Sequence, residues 1–513
     1  MKYLLFFAAP IVLIGCGESS TNHDHRPPRT ITATDALTFR GADGTHDEWP
    51  IDLDRAIVQA ITQADDGTWT IVPGMGTSGG VVVVDDVPAG DGYLRVDYHD
   101  SSPEPRPRNE YFWIGSDDDL DLDLGVWRAG RADADRAWTA PTDLQLDVTG
   151  LSPWQPGADL AVVYTPNLGF VNVFQQDIPE AVSGMPAASA VATELHIDWA
   201  TAVFGPLASA DRGDRSYLMQ FRFRQVQGVI VGAPVRAVAL PQFDQHDGEA
   251  TVVAAALAEP APLRVRLAMD RPAFDALRPD LGRDVGAALG RGFSISSSPS
   301  AVAQEFSPQS VPAELVVLDD GALDGAGPAD LGDLDVASPF PVETVYGQFV
   351  SVYPVTVARD DGLVAQAQAE VGVITNAIPT QAAPAAPIIG PVRAVTVAGH
   401  DAASAPLGVG LTPEIAWQPP ALGTPVEYEV RVLAPGGADP TYDFLWYPAA
   451  IFHVPGDRTS LTLPPELLRP DWPYAIAIRA VTHALPADVR ATHPRHLALP
   501  YGWADTITPA FKP

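Results

Sequence analysis

Three aspartates at alternating positions, Asp119, Asp121 and Asp123, sit in the acidic stretch 116–125. Successive side chains on a strand point to opposite faces, so these carboxylates share one face and Leu120, Leu122 and Leu124 the other. Carboxylates held together repel unless water or a cation screens them, and calcium takes such oxygen ligands. A calcium site and an acidic, solvent-facing strand edge are the two readings. An EF-hand is not supported, because no Asp-x-Asp-x-Asp-Gly loop with a downstream Glu is present. His23-Asp24-His25 reads as a solvated linker or a loose metal clip. His493 and His496 have a His-x-x-His spacing, without a third ligand or a helix to hold them. Arg212-Gly213-Asp214 spells the tripeptide that animal integrins read, a match that chance readily supplies. There is no His-Glu-x-x-His for a zinc peptidase and no phosphate-cradling Gly-x-x-x-x-Gly-Lys-Ser/Thr. Carboxylates are so abundant that no general acid/base pair stands out.

The elements that would hold these residues are short strands. The chain has 513 residues, 46 % of them hydrophobic, with 51 prolines and 43 glycines. That composition buries real cores and suits many strands and turns better than long helices. Asp plus Glu total 64 against 31 Lys plus Arg, a net charge of −33, which makes nucleic acid an improbable partner. Only Lys2 and Lys512 are lysines, so the remaining cations are arginines. One cysteine, Cys16, rules out an intrachain disulfide and a multi-cysteine metal site.

Residues 1–15 read as a signal peptide: Lys2, then an apolar run over 4–14 too short to span a bilayer comfortably. The run ends in Leu13-Ile14-Gly15-Cys16, which resembles the lipobox of bacterial lipoproteins. The resemblance implies cleavage before Cys16, a diacylglycerol on its thiol and usually an acyl chain on the new amine. Each lipid carbon buried contributes about 0.8 kcal/mol, and two or more chains anchor stably. Gly17 in place of Asp implies, by the same resemblance, transfer to the outer membrane. No later apolar run has the roughly 18–20 residues of a membrane-spanning helix. Residues 16–36 are polar and read as a tether.

Residues 37–130 are expected to form a β-sandwich. The four-valine run Val81 to Val84 reads as a buried strand, and Val87-Pro88-Ala89-Gly90-Asp91-Gly92-Tyr93-Leu94-Arg95-Val96 follows it. This pattern resembles transthyretin-like or carboxypeptidase-regulatory sandwiches, which implies a structural rather than a catalytic module. Residues 141–385 read as a β-rich region of one or two sandwiches. In it Tyr217, Met219, Phe221 and Phe223 share one strand face, and Gln220, Arg222 and Arg224 the other. Asp270 caps an expected short helix with Pro272 in its first turn, and a second short helix is expected over 284–289. Residues 319–335 read as a long acidic loop, and 376–390 as a Pro/Ala-rich linker.

Residues 391–513 carry Ile415-Ala416-Trp417-Gln418-Pro419-Pro420, Tyr428-Glu429-Val430-Arg431-Val432 and Leu468-Arg469-Pro470-Asp471-Trp472-Pro473-Tyr474 in that order. These resemble strands B and C and the "L-x-P-x-x-x-Y" of fibronectin type III domains. The resemblance implies that Trp417 lies between the sheets and that the Tyr474 hydroxyl bonds back to nearby backbone. An insertion over 434–454 carries Phe444, Trp446, Tyr447 and Phe452, which either stack on a carbohydrate or pack within the protein.

The fold expectation is therefore all-β, with serial β-sandwich modules and one or two short helices in the central region. The functional expectation is a non-enzymatic binding or scaffolding protein, held to the membrane by lipid on Cys16, with an envelope protein or a glycan as partner. An envelope enzyme with its site in 141–385 and a calcium-dependent surface adhesin are the alternatives. Calcium is the one candidate cofactor.

Overall fold

The computed structural model describes residues 28–40, 46–98, 109–115, 120–131, 143–155, 157–168, 170–174, 190–192, 207–259, 262–297, 313–318, 329–340, 344–358, 364–376, 378, 383–435, 446–470, 472–485 and 498–513. The chain is all-β and built of several sheets, with one short α-helix, Arg271–Asp275, among the described residues. That helix starts as its sequence dictates: the Asp270 carboxylate accepts from the Ala273 amide at 3.2 Å, and proline occupies the first turn. No helix forms over 284–289. Asp284 has a positive φ of 53°, and Val285 instead makes a β-bridge to Val355.

In the first module Arg29–Thr34 pairs in parallel with Leu120–Asp123 and antiparallel with Val81–Val87. A second layer has the order Asn109–Ile114, Gly92–Asp97, Ile57–Gln63, Trp69–Pro73. Ile31, Val82, Val84, Leu94, Val96, Phe112 and Leu122 fill the space between the layers. The valine run is a strand buried on one face only: Val82 and Val84 are in the core, while Val81 is exposed.

The central region has two cores that share one hairpin, Tyr217–Val226 with Val229–Ala239. Leu218 points into a cluster with Leu144, Leu146, Val148 and Trp154. Met219 and Phe221 point into a larger cluster with Phe274, Phe349 and Tyr353. The polar face of the Tyr217 strand is covered at Gln220 and Arg222 and exposed at Arg224. Gln220 is fully buried, and Arg222 grips Asp159 through Nε at 2.7 Å and Nη2 at 2.7 Å. Part of the expected acidic loop is a strand, Ala329–Ala337, whose residues Ala329, Leu331, Leu334 and Val336 are buried opposite Pro262–Met269. Its aspartates lie on the other face, which is why composition alone suggested a loop. Within 376–390, Ile389 is buried and the Ala385 amide donates to Ala268, so this stretch packs against its neighbours.

The last module is a two-layer sandwich. One layer has the order His400–Asp401, Arg393–Val397, Glu414–Gln418, Ser460–Thr462. The other has Tyr501–Ile507, Ala475–Thr482, Glu427–Pro435, Trp446–Pro455. Order in space differs from order in the chain. The second layer of this last module is the middle of a 16-stranded sheet. Tyr501–Ile507 pairs with Val364–Thr375 of the central region, with Val371 opposite Ala504 and Ile374 opposite Tyr501. On the opposite edge, Trp446–Pro455 pairs in parallel with Asn109–Ile114 of the first module.

The pairing to the central region depends on a glycine. Gly372 lies opposite Trp503, and a Cβ added at Gly372 would come within 2.2 Å of the indole. Overpacking of this kind costs typically about 1–3 kcal/mol. Gly372→Ala is therefore expected to lower the unfolding free energy by that amount, read as a lower denaturant midpoint, whereas Gly292→Ala, on a strand position with open space around it, leaves the midpoint unchanged. Equal midpoints for both variants would contradict the packing of Trp503 on Gly372.

Candidate functional site

Cys16, His23, Asp24, His25, Asp119, Phe444, His493 and His496 lie outside the described residues. Asp121 and Asp123 flank buried Leu122 on the strand Leu120–Asp123. Asp121 accepts from the Thr32 hydroxyl at 3.0 Å and Asp123 from the Gly125 amide at 2.8 Å. Among the described residues no three His, Cys, Asp or Glu side chains converge as a metal site. Asp214 of the Arg-Gly-Asp tripeptide is buried and bound to Arg131 at 2.9 Å, so a receptor cannot reach it without breaking that pair. Gly76-Thr77-Ser78-Gly79-Gly80 spells Gly-x-Ser-x-Gly, but a hydrolase elbow needs a strand-to-helix turn. Here the Thr77 amide donates to Val81 across a β-turn between two strands.

Trp417 is buried with its ring 5.1 Å from that of Tyr428, edge to face. The Tyr474 hydroxyl accepts from the Arg469 amide at 2.9 Å. Of the inserted aromatics, Phe452 is fully buried, Trp446 is half-buried and Tyr447 is exposed.

Clusters of ionisable and aromatic groups lie at both seams of the last module. At the first seam the Phe452 ring stacks on Tyr111 with centroids 4.4 Å apart, and Tyr93 meets both rings edge-on. The Tyr93 hydroxyl donates to the Thr462 carbonyl at 3.0 Å. On the other face of the sheet His453 stacks on Phe112 and donates from Nδ1 to Glu427 at 2.8 Å, with Nε2 3.7 Å from Glu110. Burial works against a charged ring there. The carboxylates of Glu110 and Glu427 outweigh it and hold the His453 pKa up at about 10. Arg458 closes the rim, 3.0 Å from Asp91 and over the Trp113 ring.

At the second seam Arg479 is the centre. Its Nε and Nη2 bond Asp505 at 2.7 and 2.9 Å, and Nη2 also reaches Glu370 of the central region at 2.9 Å. The Trp503 indole N–H donates to the same Glu370 oxygen at 3.2 Å. Burial pushes the Glu429 carboxyl up, but Arg431, Arg479 and His453 together hold it down at about 2.

The first seam also leaves a cleft of about 320 Å³, bounded by the first and last modules and lying outside 141–385. Arg95, Asn109, Arg469 and Trp472 are on its wall. The sequence had no local signal for either seam or for the cleft, since each joins residues from opposite ends of the chain.

No family model matches the chain, and no curated protein matches it. Among solved structures, the Streptococcal ancillary pilin is 10 % identical over 66 % of this chain and 95 % of its own, with a TM-score of 0.14. The tetra-tandem repeat in the extending region of a large adhesion protein is 10 % identical over 92 % of this chain and 99 % of its own, with a TM-score of 0.11. The major pilin subunit of Bacillus cereus is 9 % identical over 66 % of this chain and 92 % of its own, with a TM-score of 0.10. At these scores the likenesses carry no functional argument.

The seam charges give the fold a pH signature. His453 binds its proton more tightly when folded, so its contribution is complete below about pH 6.5 and is lost as pH rises toward 10. The Glu429 contribution is complete above about pH 4.5 and is lost as pH falls toward 2. Breaking a buried pair on one side costs about 3–5 kcal/mol. His453→Gln is therefore expected to destabilise the protein by about 3 kcal/mol at pH 6 and to flatten the alkaline fall in melting temperature between pH 6.5 and 10. An alkaline limb as steep in the variant as in the native protein would contradict the assignment.

Proposed function

We propose that this chain is a lipid-anchored protein of the cell envelope that acts without catalysis, as a binding or scaffolding body. One observation carries the reading: strand pairing joins the three regions into one 16-stranded sheet, and the ionisable groups at its seams are paired with one another. A presenting scaffold needs such a joined body, whereas a catalytic centre needs titratable groups converging on substrate. The lipobox supplies attachment: Cys16 takes the lipid, residues 16–36 give reach, and Gly17 directs the protein to the outer membrane.

The finer module identities have separate support. A fibronectin type III-like reading of 391–513 is favoured by its two four-stranded layers and by the Tyr474 hydroxyl bonded to the Arg469 amide. A carboxypeptidase-regulatory-like reading of 37–130 is favoured by its two-layer sandwich around Val82, Val84, Leu94 and Val96. The partner in this reading is an envelope protein or a glycan. With a net charge of −33, nucleic acid is disfavoured.

Cell fractionation tests the attachment. Native protein is expected in the outer-membrane fraction, and Cys16→Ala in the soluble fraction. A Cys16→Ala protein that sediments with membranes as firmly as the native one would overturn the lipoprotein reading. Protease added to intact cells then assigns the face: cleavage places the modules outside, and protection until permeabilisation places them in the periplasm.

A further inference from the structure

The cleft at the first seam is in the size range of small-ligand sites, which run from about 300 to 1,000 Å³. Its chemistry runs against the rest of the molecule. The protein carries a net charge of −33, yet among the described residues this wall presents two guanidinium groups, Arg95 and Arg469, and a single carboxylate, Glu466. Arg95 is held in place by the side chains of Gln59 at 3.0 Å, Asn109 at 2.9 Å and Asp97 at 3.4 Å. Arg469 lies over the Trp472 ring, 5.4 Å from its centroid, and no carboxylate among the described residues pairs with it. Trp472 is 40 % exposed, so part of its ring is open to a ligand at the cleft. Glu466, on the same wall, has a left-handed φ of 71°, a conformation that side-chain-bearing residues adopt only where the surrounding structure enforces it.

An open indole face stacks on the C–H face of a sugar ring, and a planar guanidinium beside it takes a carboxylate in two parallel hydrogen bonds. The Asn109 amide accepts from Arg95 through its oxygen and donates one hydrogen to the Ala449 carbonyl at 3.3 Å, which leaves one hydrogen bordering the same space for a ligand hydroxyl. The chain as a whole is strongly acidic, which disfavours a densely charged polyphosphate more than a sugar acid with one charge per ring. We propose that the cleft between the first and last modules binds an acidic saccharide, a uronate-bearing glycan segment, with Trp472 as the stacking platform and Arg469 as the carboxylate partner. The proposal deepens the reading of the chain as a binding protein. It stands apart from the question of attachment, because its test uses purified protein and the attachment test uses cell fractions.

The test is calorimetric titration of the full chain with a hexagalacturonate, alongside maltohexaose and inorganic phosphate. The hexauronate is expected to bind, with maltohexaose and phosphate each at least about tenfold weaker. One lost charge-assisted or stacking contact is worth about a factor of ten. Trp472→Ala and Arg469→Ala are each expected to weaken the hexauronate by at least that factor, and Trp472→Phe to retain most of the affinity. Both side chains are exposed, so the melting temperature of each variant is expected to match that of the native protein. No heat at millimolar hexauronate, equal affinity for either control ligand, or unchanged affinity in the variants would overturn the proposal.

Discussion

A β-sandwich ends in strands with unpaired backbone N–H and C=O groups, and those groups need partners or water. Here the last module satisfies both edges of one layer with strands from the rest of the chain. Val364–Thr375 covers Tyr501–Ile507 on one side, and Asn109–Ile114 covers Trp446–Pro455 on the other. This edge pairing is the constraint on which the assembly depends. It places residues about 340 positions apart side by side, as in the Asn109 amide bonded to the Ala449 carbonyl. It also converts modules that follow one another along the chain into neighbours in a different order.

Backbone pairing alone specifies register weakly, because a slip of one residue moves a whole side-chain set to the other face. The seams fix register with side chains. Apolar rings contribute burial on one face of the first seam, where Tyr93, Tyr111 and Phe452 meet. A buried ionic group works against slippage on the other, where a shift would leave His453 away from Glu110 and Glu427. Desolvation consumes much of what such pairs gain, so their effect is specificity more than net stability. In a chain with 31 cations against 64 anions, the cations that are buried matter individually. The buried or half-buried ones at Arg131, Arg222 and Arg479 are arginines bonded to carboxylates through more than one nitrogen. The planar fork of arginine matches a carboxylate where the point charge of lysine does not.

Local pattern made much of this fold legible. Alternation marked the strands of all three regions, the Asp270 cap marked the helix, and the Trp417 and Tyr474 motifs marked strands of the last module. Long-range pairing overrode local composition elsewhere. The Asp/Gly-rich 329–337 is a strand because it pairs with Pro262–Met269 and packs its apolar face into the central core, and nothing in its own residues announces those partners. Gln220 and Arg222 look solvent-facing until Asp159 is placed over them. The inserted aromatics were ambiguous for the same reason: Phe452 belongs to a core completed by Tyr93 and Tyr111 of the first module. The cleft beside them was invisible in the sequence, because Arg95 and Arg469 become neighbours only when the seam closes.

The central claim is that the first and last modules share one sheet. Residue-resolved hydrogen exchange of the full chain tests it most directly. Asn109–Ile114 pairs with Gly92–Asp97 on one side in any case. If the seam exists, the amides of this strand that face Trp446–Pro455 exchange as slowly as those that face Gly92–Asp97, and the seam-facing amides of Trp446–Pro455 are protected to match. Fast exchange confined to the seam-facing amides of both strands would mean two free edges, and would contradict the account.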